Sequence, residues 1–148
     1  AKSYQKADIV HIAAHSSFNP ANPDESSITL QGTKGSGAQV MFARDIYSLD
    51  ERPKSLIFLS SCSSGKSLNL PGDDPFGLGR AFFYTGAKRL ISTYWDVNDY
   101  KTYEFVKSFY KELLKNGQAP SDALQAAQPC HLRKGDLNAL AFKIEGLP

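Results

Sequence analysis

At 148 residues, 41% of them hydrophobic and with nine Phe and seven Tyr, the chain can bury one real core, which excludes a disordered composition and two domains of ordinary size. A formal net charge of +2, with Lys and Arg dispersed among acids, leaves no footprint for direct nucleic-acid or membrane binding. No apolar run approaches the roughly 18 residues of a membrane helix, the first residues lack the apolar region of a signal peptide, and two cysteines point to a reducing, cytoplasmic compartment instead of a disulfide framework.

Ala7 to Ala14 is a mostly apolar run bounded by polar residues and predicts a buried strand. From Ser16 to Asp24 the residues are turn formers and predict a loop. Ser27–Leu30 and Gln39–Phe42 flank a Gly/Ser/Lys stretch and predict a hairpin, with Ala43–Leu49 a short helix behind it. Ser55–Ser61 is a continuous apolar run ending in small polar residues, the clearest strand in the chain. A loop from Cys62 to Asp74 leads to a helix over Pro75–Tyr84, which Gly86 stops, and Lys88–Trp95 predicts the next strand. Asp99 is expected to cap a long amphipathic helix whose core stripe is Tyr103, Val106, Phe109, Tyr110, Leu113 and Leu114. A shorter helix over Asp122–Gln128, capped by Ser121, and a last strand over Ala139–Ile144 complete the reading, with Cys130 and His131 in the loop between them.

Strands alternating with helices imply an α/β fold with a mostly parallel sheet, whose ligands sit at the carboxyl ends of the strands. His15 and Cys62 both fall at such ends. His11 and His15 do not read as a metal pair, because four residues of strand span about 13 Å; no metal or other cofactor is expected, and His11 reads as a packed strand residue. Cys62, in Ser60-Ser61-Cys62-Ser63-Ser64-Gly65, is open to two readings. It is a small buried hydrophobe, or a nucleophile activated by a nearby imidazole, with backbone N–H groups of the turn facing an oxyanion. A third reading takes the Gly65-Lys66-Ser67 ending as a phosphate-binding loop. The first glycine of that pattern is replaced by Ser60, and Pro71-Gly72 breaks the helix that should follow.

Four blocks in order resemble the CHAT proteases, relatives of caspases and separases. They are His11-Ile12-Ala13-Ala14-His15-Ser16, Leu59-Ser60-Ser61-Cys62-Ser63-Ser64-Gly65, Gly72-Asp73-Asp74 with the Gly77-Leu78 helix, and Tyr94-Trp95-Asp96-Val97-Asn98-Asp99. The resemblance runs from about Ala7 to Gln128 and implies a three-layer caspase-like sandwich, here lacking N-terminal strands. Residues 1–148 would then be the C-terminal, catalytic part of the domain. It further implies a cysteine endopeptidase with Cys62 as nucleophile and His15 as base, and an oxyanion hole made by the backbone N–H groups of Cys62 and Ser16. Ser16 stands where the family usually has Gly, so a turn needing positive φ there would be strained. Asp73, Asp74, Trp95, Asp96 and Asp99 are the implied substrate-binding residues, and the likeness to separases favours Asp99 or Asp96 as the carboxylate selecting a basic residue. A protein substrate and regulatory tetratricopeptide-type repeats, often in prokaryotic defence, are the implied partners. The alternative is a catalytically impaired relative that uses the same fold to bind protein.

Overall fold

Two sheets organise the computed structural model, which describes residues 7–32, 37–49, 54–60 and 77–147. In chain order the strands are β1 (Ile9–Ala13), β2 (His15–Ser17), β3 (Ser27–Leu30), β4 (Gln39–Phe42), β5 (Leu56–Ser60), β6 (Arg89–Thr93) and β7 (Phe142–Gly146). The helices are α1 (Ala43–Ile46), α2 (Gly77–Tyr84), α3 (Asp99–Tyr110) and α4 (Pro120–Leu132). The main sheet has the order β1-β5-β6-β7, parallel throughout except for the antiparallel β6–β7 pair. The small sheet β2-β3-β4 is antiparallel, and its β3–β4 pair is the hairpin that the sequence predicts.

Strand β5 is buried on both faces, so its apolar run has no polar alternation. Successive side chains point to opposite sides, and two cores result. Leu56 and Phe58 pack with Phe105 and Phe109 of α3 and with Ala123, Leu124 and Ala127 of α4. Ile57 and Leu59 pack with Leu78, Ala81 and Phe82 of α2, and with Ile28 and Ile46 from the hairpin side. The outcome is a mixed α/β sandwich with helices on both faces of a mostly parallel sheet.

Several local expectations are corrected by packing. The core stripe of α3 is Phe105 and Phe109, backed by Val106, Tyr110 and Leu113, whereas Tyr103 and Leu114 are exposed at 61% and 67%. Helical spacing alone does not fix which edge of an apolar stripe faces the sheet. Beyond Tyr110 the helix widens at Lys111–Lys115, where Asn116 N–H donates to the Lys111 carbonyl five residues back, and Gly117 ends it with φ +68°. Helix α4 starts at Pro120, at its first turn where a proline costs nothing, and runs past Pro129 to Leu132. A proline inside a helix removes one ladder bond; burial of Ala127 and His131 on either side of it offsets that loss. Cys130 and His131 are therefore helical, not in a loop.

Gly77 shows how closely α2 meets the turn after β2. A Cβ at Gly77 would lie 2.2 Å from the Pro23 carbonyl oxygen, a backbone atom that cannot swing away. Gly77→Ala is expected to destabilise the fold by about 1–3 kcal/mol, read as a lowered urea midpoint at unchanged slope. An unchanged midpoint would mean that the turn at Pro23–Glu25 does not rest on α2.

Candidate active site

The register of the two central strands decides where the chain leaves the sheet. Ala13 at the end of β1 pairs with Ser60 at the end of β5, and Ala14 N–H donates to the Ser60 carbonyl at 3.3 Å. His15 follows Ala13 by two residues, as Cys62 follows Ser60. The histidine opens β2, so the backbone passes from the main sheet to the small one at the point where the imidazole is presented. Cys62, Asp73 and Asp74 lie outside the described residues, as does the Gly65-Lys66-Ser67 segment.

At these strand ends a cleft of about 490 Å³ opens. It is lined by His11 and Ala13 of β1, by Ala14 and His15 after it, by Ser60 at the end of β5, and by Thr29 of β3 with the following Gln31. The facing wall is Val97, Asp99, Thr102, Tyr103 and Val106 from the loop after β6 and from α3. The structure thus brings His15, Ser60 and Asp99 to one cavity. Asp96 and Trp95 do not line it. Trp95 is 46% exposed and stacks on Tyr94 with ring centroids 6.3 Å apart.

Asp99 lines the cleft and is not the cap. Asn98 holds the extended conformation before α3, and its side chain accepts the Lys101 N–H at 3.2 Å. Asp99 is the first helical residue and lines the cavity, near the positive end of the helix. Asn and Asp cap equally well, so the sequence does not separate them.

Ser16 is 2% exposed and lies in β2 opposite Ile28. No non-glycine residue among those described has positive φ, so the strain expected of a serine in place of glycine does not arise at Ser16. Its hydroxyl is buried without a hydrogen-bond partner among the described residues.

His11 lies in β1 as expected but is exposed instead of packed away, because it lines the cleft. It lies 4.7 Å from the Phe58 ring and 5.6 Å from that of Tyr110, centroid to centroid. The residue keeps open surface on the cleft side, but these neighbours strip water from the ring and lower its pKa below 6.5. Burial likewise pushes the Tyr110 phenol up to about 12, so it stays neutral beside the imidazole. Because folding disfavours the protonated ring, the unfolded chain takes up a proton first as pH falls below 6.5, and stability drops across that window. His11→Phe is expected to flatten this part of the stability–pH curve. NMR titration should give His11 a midpoint below that of a free imidazole, and a midpoint at or above it would refute the desolvation argument.

Among the described residues no group of three His, Cys, Asp or Glu could hold a metal ion, and no helix is long and apolar enough to cross a membrane. Compared with protein families, residues 1–138 match the model described as the CHAT domain. No curated protein matches the chain.

Proposed function

Since the chain belongs to the CHAT-domain family, which is associated with caspase-like cysteine peptidases, we propose that it is a cysteine endopeptidase working through His15 and Cys62. The observation that carries this reading is the Ala13–Ser60 pairing at the mouth of the cleft. Neighbouring strands lie about 4.8 Å apart, and two residues of chain span at most about 7 Å. In sequence the base follows Ala13 and the nucleophile follows Ser60 by two residues each, beyond the carboxyl edge where such sheets bind ligands.

In this mechanism the His15 imidazole takes the Cys62 proton, and the thiolate attacks the carbonyl carbon of the scissile peptide. The developing oxyanion is met by the backbone N–H of Cys62; Ser16, the second donor that the family resemblance implies, is 2% exposed and does not line the cleft. His15 then returns the proton to the leaving amine, and water hydrolyses the thioester with His15 as base. Asp99 accepts a basic side chain from the residue before the scissile bond. The substrate is a protein, and regulation by helical repeats or a partner belongs to the same proposal.

Labelling with a peptide that carries Arg or Lys before an electrophilic warhead tests the reading. Modification of Cys62 in the wild-type chain, absent in His15→Ala, is the expected result. No labelling under any activating condition would favour a protein-binding relative that has lost catalysis.

A further inference from the structure

We propose that Asn138, held by Asp136 and His131, is a positioning residue for the cleft wall that carries Asp99. That wall enters α3 through Asn98, whose backbone N–H donates to Asn138 Oδ1 at 3.4 Å across 40 residues of chain. Asn138 is itself clamped, because its backbone N–H and its Nδ2 both donate to Asp136 Oδ1, at 3.1 and 2.9 Å. The Lys101 ammonium, one turn into α3, stands 3.8 Å from the same oxygen. Asp136 Oδ2 lies 3.3 Å from His131 Nδ1, and His131 Nε2 lies 2.9 Å from Ser108 Oγ.

The connections close a ring. It leaves α3 at Ser108, crosses α4 at His131, and returns to the first turn of α3 at Asn98 and Lys101. His131 and Asp136 are buried, at 5% and 7% exposure, so the bond between them is little weakened by water, whereas the Asn98–Asn138 bond is exposed. Burial alone would raise the Asp136 pKa, but the hydrogen bonds from Asn138 and His131 and the charge of Lys101 outweigh it and hold it low. The order Ser–His–Asp looks like a hydrolase triad. It does not act as one, because Ser108 Oγ donates to the Glu104 carbonyl at 3.1 Å and none of the three residues lines the cleft. The array joins two helices and fixes the end of one of them.

The effect on substrate selection rests on the peptidase reading; the positioning itself does not. Hydrogen exchange on the full chain tests the positioning. Asn138→Ala is expected to speed exchange of the Asn98 and Lys101 amides by about tenfold, while Phe105, Phe109 and β5 exchange as in the wild type. Asn138→Ser, which like alanine keeps the backbone bond to Asp136 but retains a polar side chain, should act in the same direction and guards against a misfolded alanine variant. Uniform acceleration along α3 and the sheet, or none at Asn98, would overturn the proposal. In parallel, the rate of Cys62 labelling by an arginyl warhead should fall about tenfold in Asn138→Ala, with that by a norleucyl warhead unchanged. A wild type that no warhead labels would count against the peptidase reading, and the exchange pattern would still decide the role of Asn138.

Discussion

His15→Ala is expected to lower kcat/KM on an arginyl peptide by about 10³-fold or more, and Cys62→Ala to abolish turnover. A free thiol is only a few per cent thiolate at neutral pH, so it needs a base at hydrogen-bond distance, and general-base catalysis by a positioned imidazole contributes about 10²–10⁴-fold. Two comparisons make the result specific. His11→Gln alters the other imidazole of the same cleft and should leave far more activity than His15→Ala, because His11 sits within β1, four residues before His15. Cys130→Ala removes the other cysteine, half-buried in α4 and remote from the cleft lining, and should change neither turnover nor labelling. Single-turnover kinetics with an activated ester would locate the loss in acylation. Equal effects of His15→Ala and His11→Gln would sink the assignment of the base.

Asp99→Asn is expected to reduce kcat/KM for arginyl and lysyl peptides by about 10–100-fold and to leave a norleucyl peptide within a factor of about two. A charge-assisted hydrogen bond contributes about 1.5–3 kcal/mol. The carboxylate is exposed at the cleft, so solvent screening places the effect in the lower part of that range. The isosteric change keeps the first turn of α3 intact, because Asn98 and not Asp99 caps it. Raising ionic strength should erode the preference for arginine in the wild type and have little influence on the variant. Asp96→Asn serves as the contrast: Asp96 does not line the cavity and is engaged in an interaction of its own. An arginine preference that survives Asp99→Asn and disappears in Asp96→Asn would reverse the assignment.

Legibility differs from element to element for physical reasons. The runs Ile9–Ala13 and Leu56–Ser60 are readable because a strand between helical layers must be apolar on both faces. The hairpin is readable because its turn formers interrupt two short β-prone stretches. Helix α4 is longer than its sequence suggests because Pro129 is locally a breaker, and only the packing around it keeps the helix going. The Ser108–His131–Asp136–Asn138 array is invisible to spacing, since it joins residues on different elements through contacts that arise only when α3 and α4 lie together.

By itself the sequence determined the α/β alternation and the family motifs, because these depend on local apolar runs and on the order of short blocks. The tertiary structure alone decided that β1 and β5 are neighbours in register at Ala13 and Ser60. It also decided that Asn98 caps α3, that Asp99 and not Asp96 lines the cleft, and that Ser16 lies in extended backbone. Asp96 and Asp99 carry the same carboxylate three residues apart, and nothing in their chemistry tells them apart. What separates them is position in the tertiary structure: Asp99 opens α3, whose first turn lines the cavity while Phe109 packs on Phe58 of β5, and Asp96 lies in the loop before it, outside the lining.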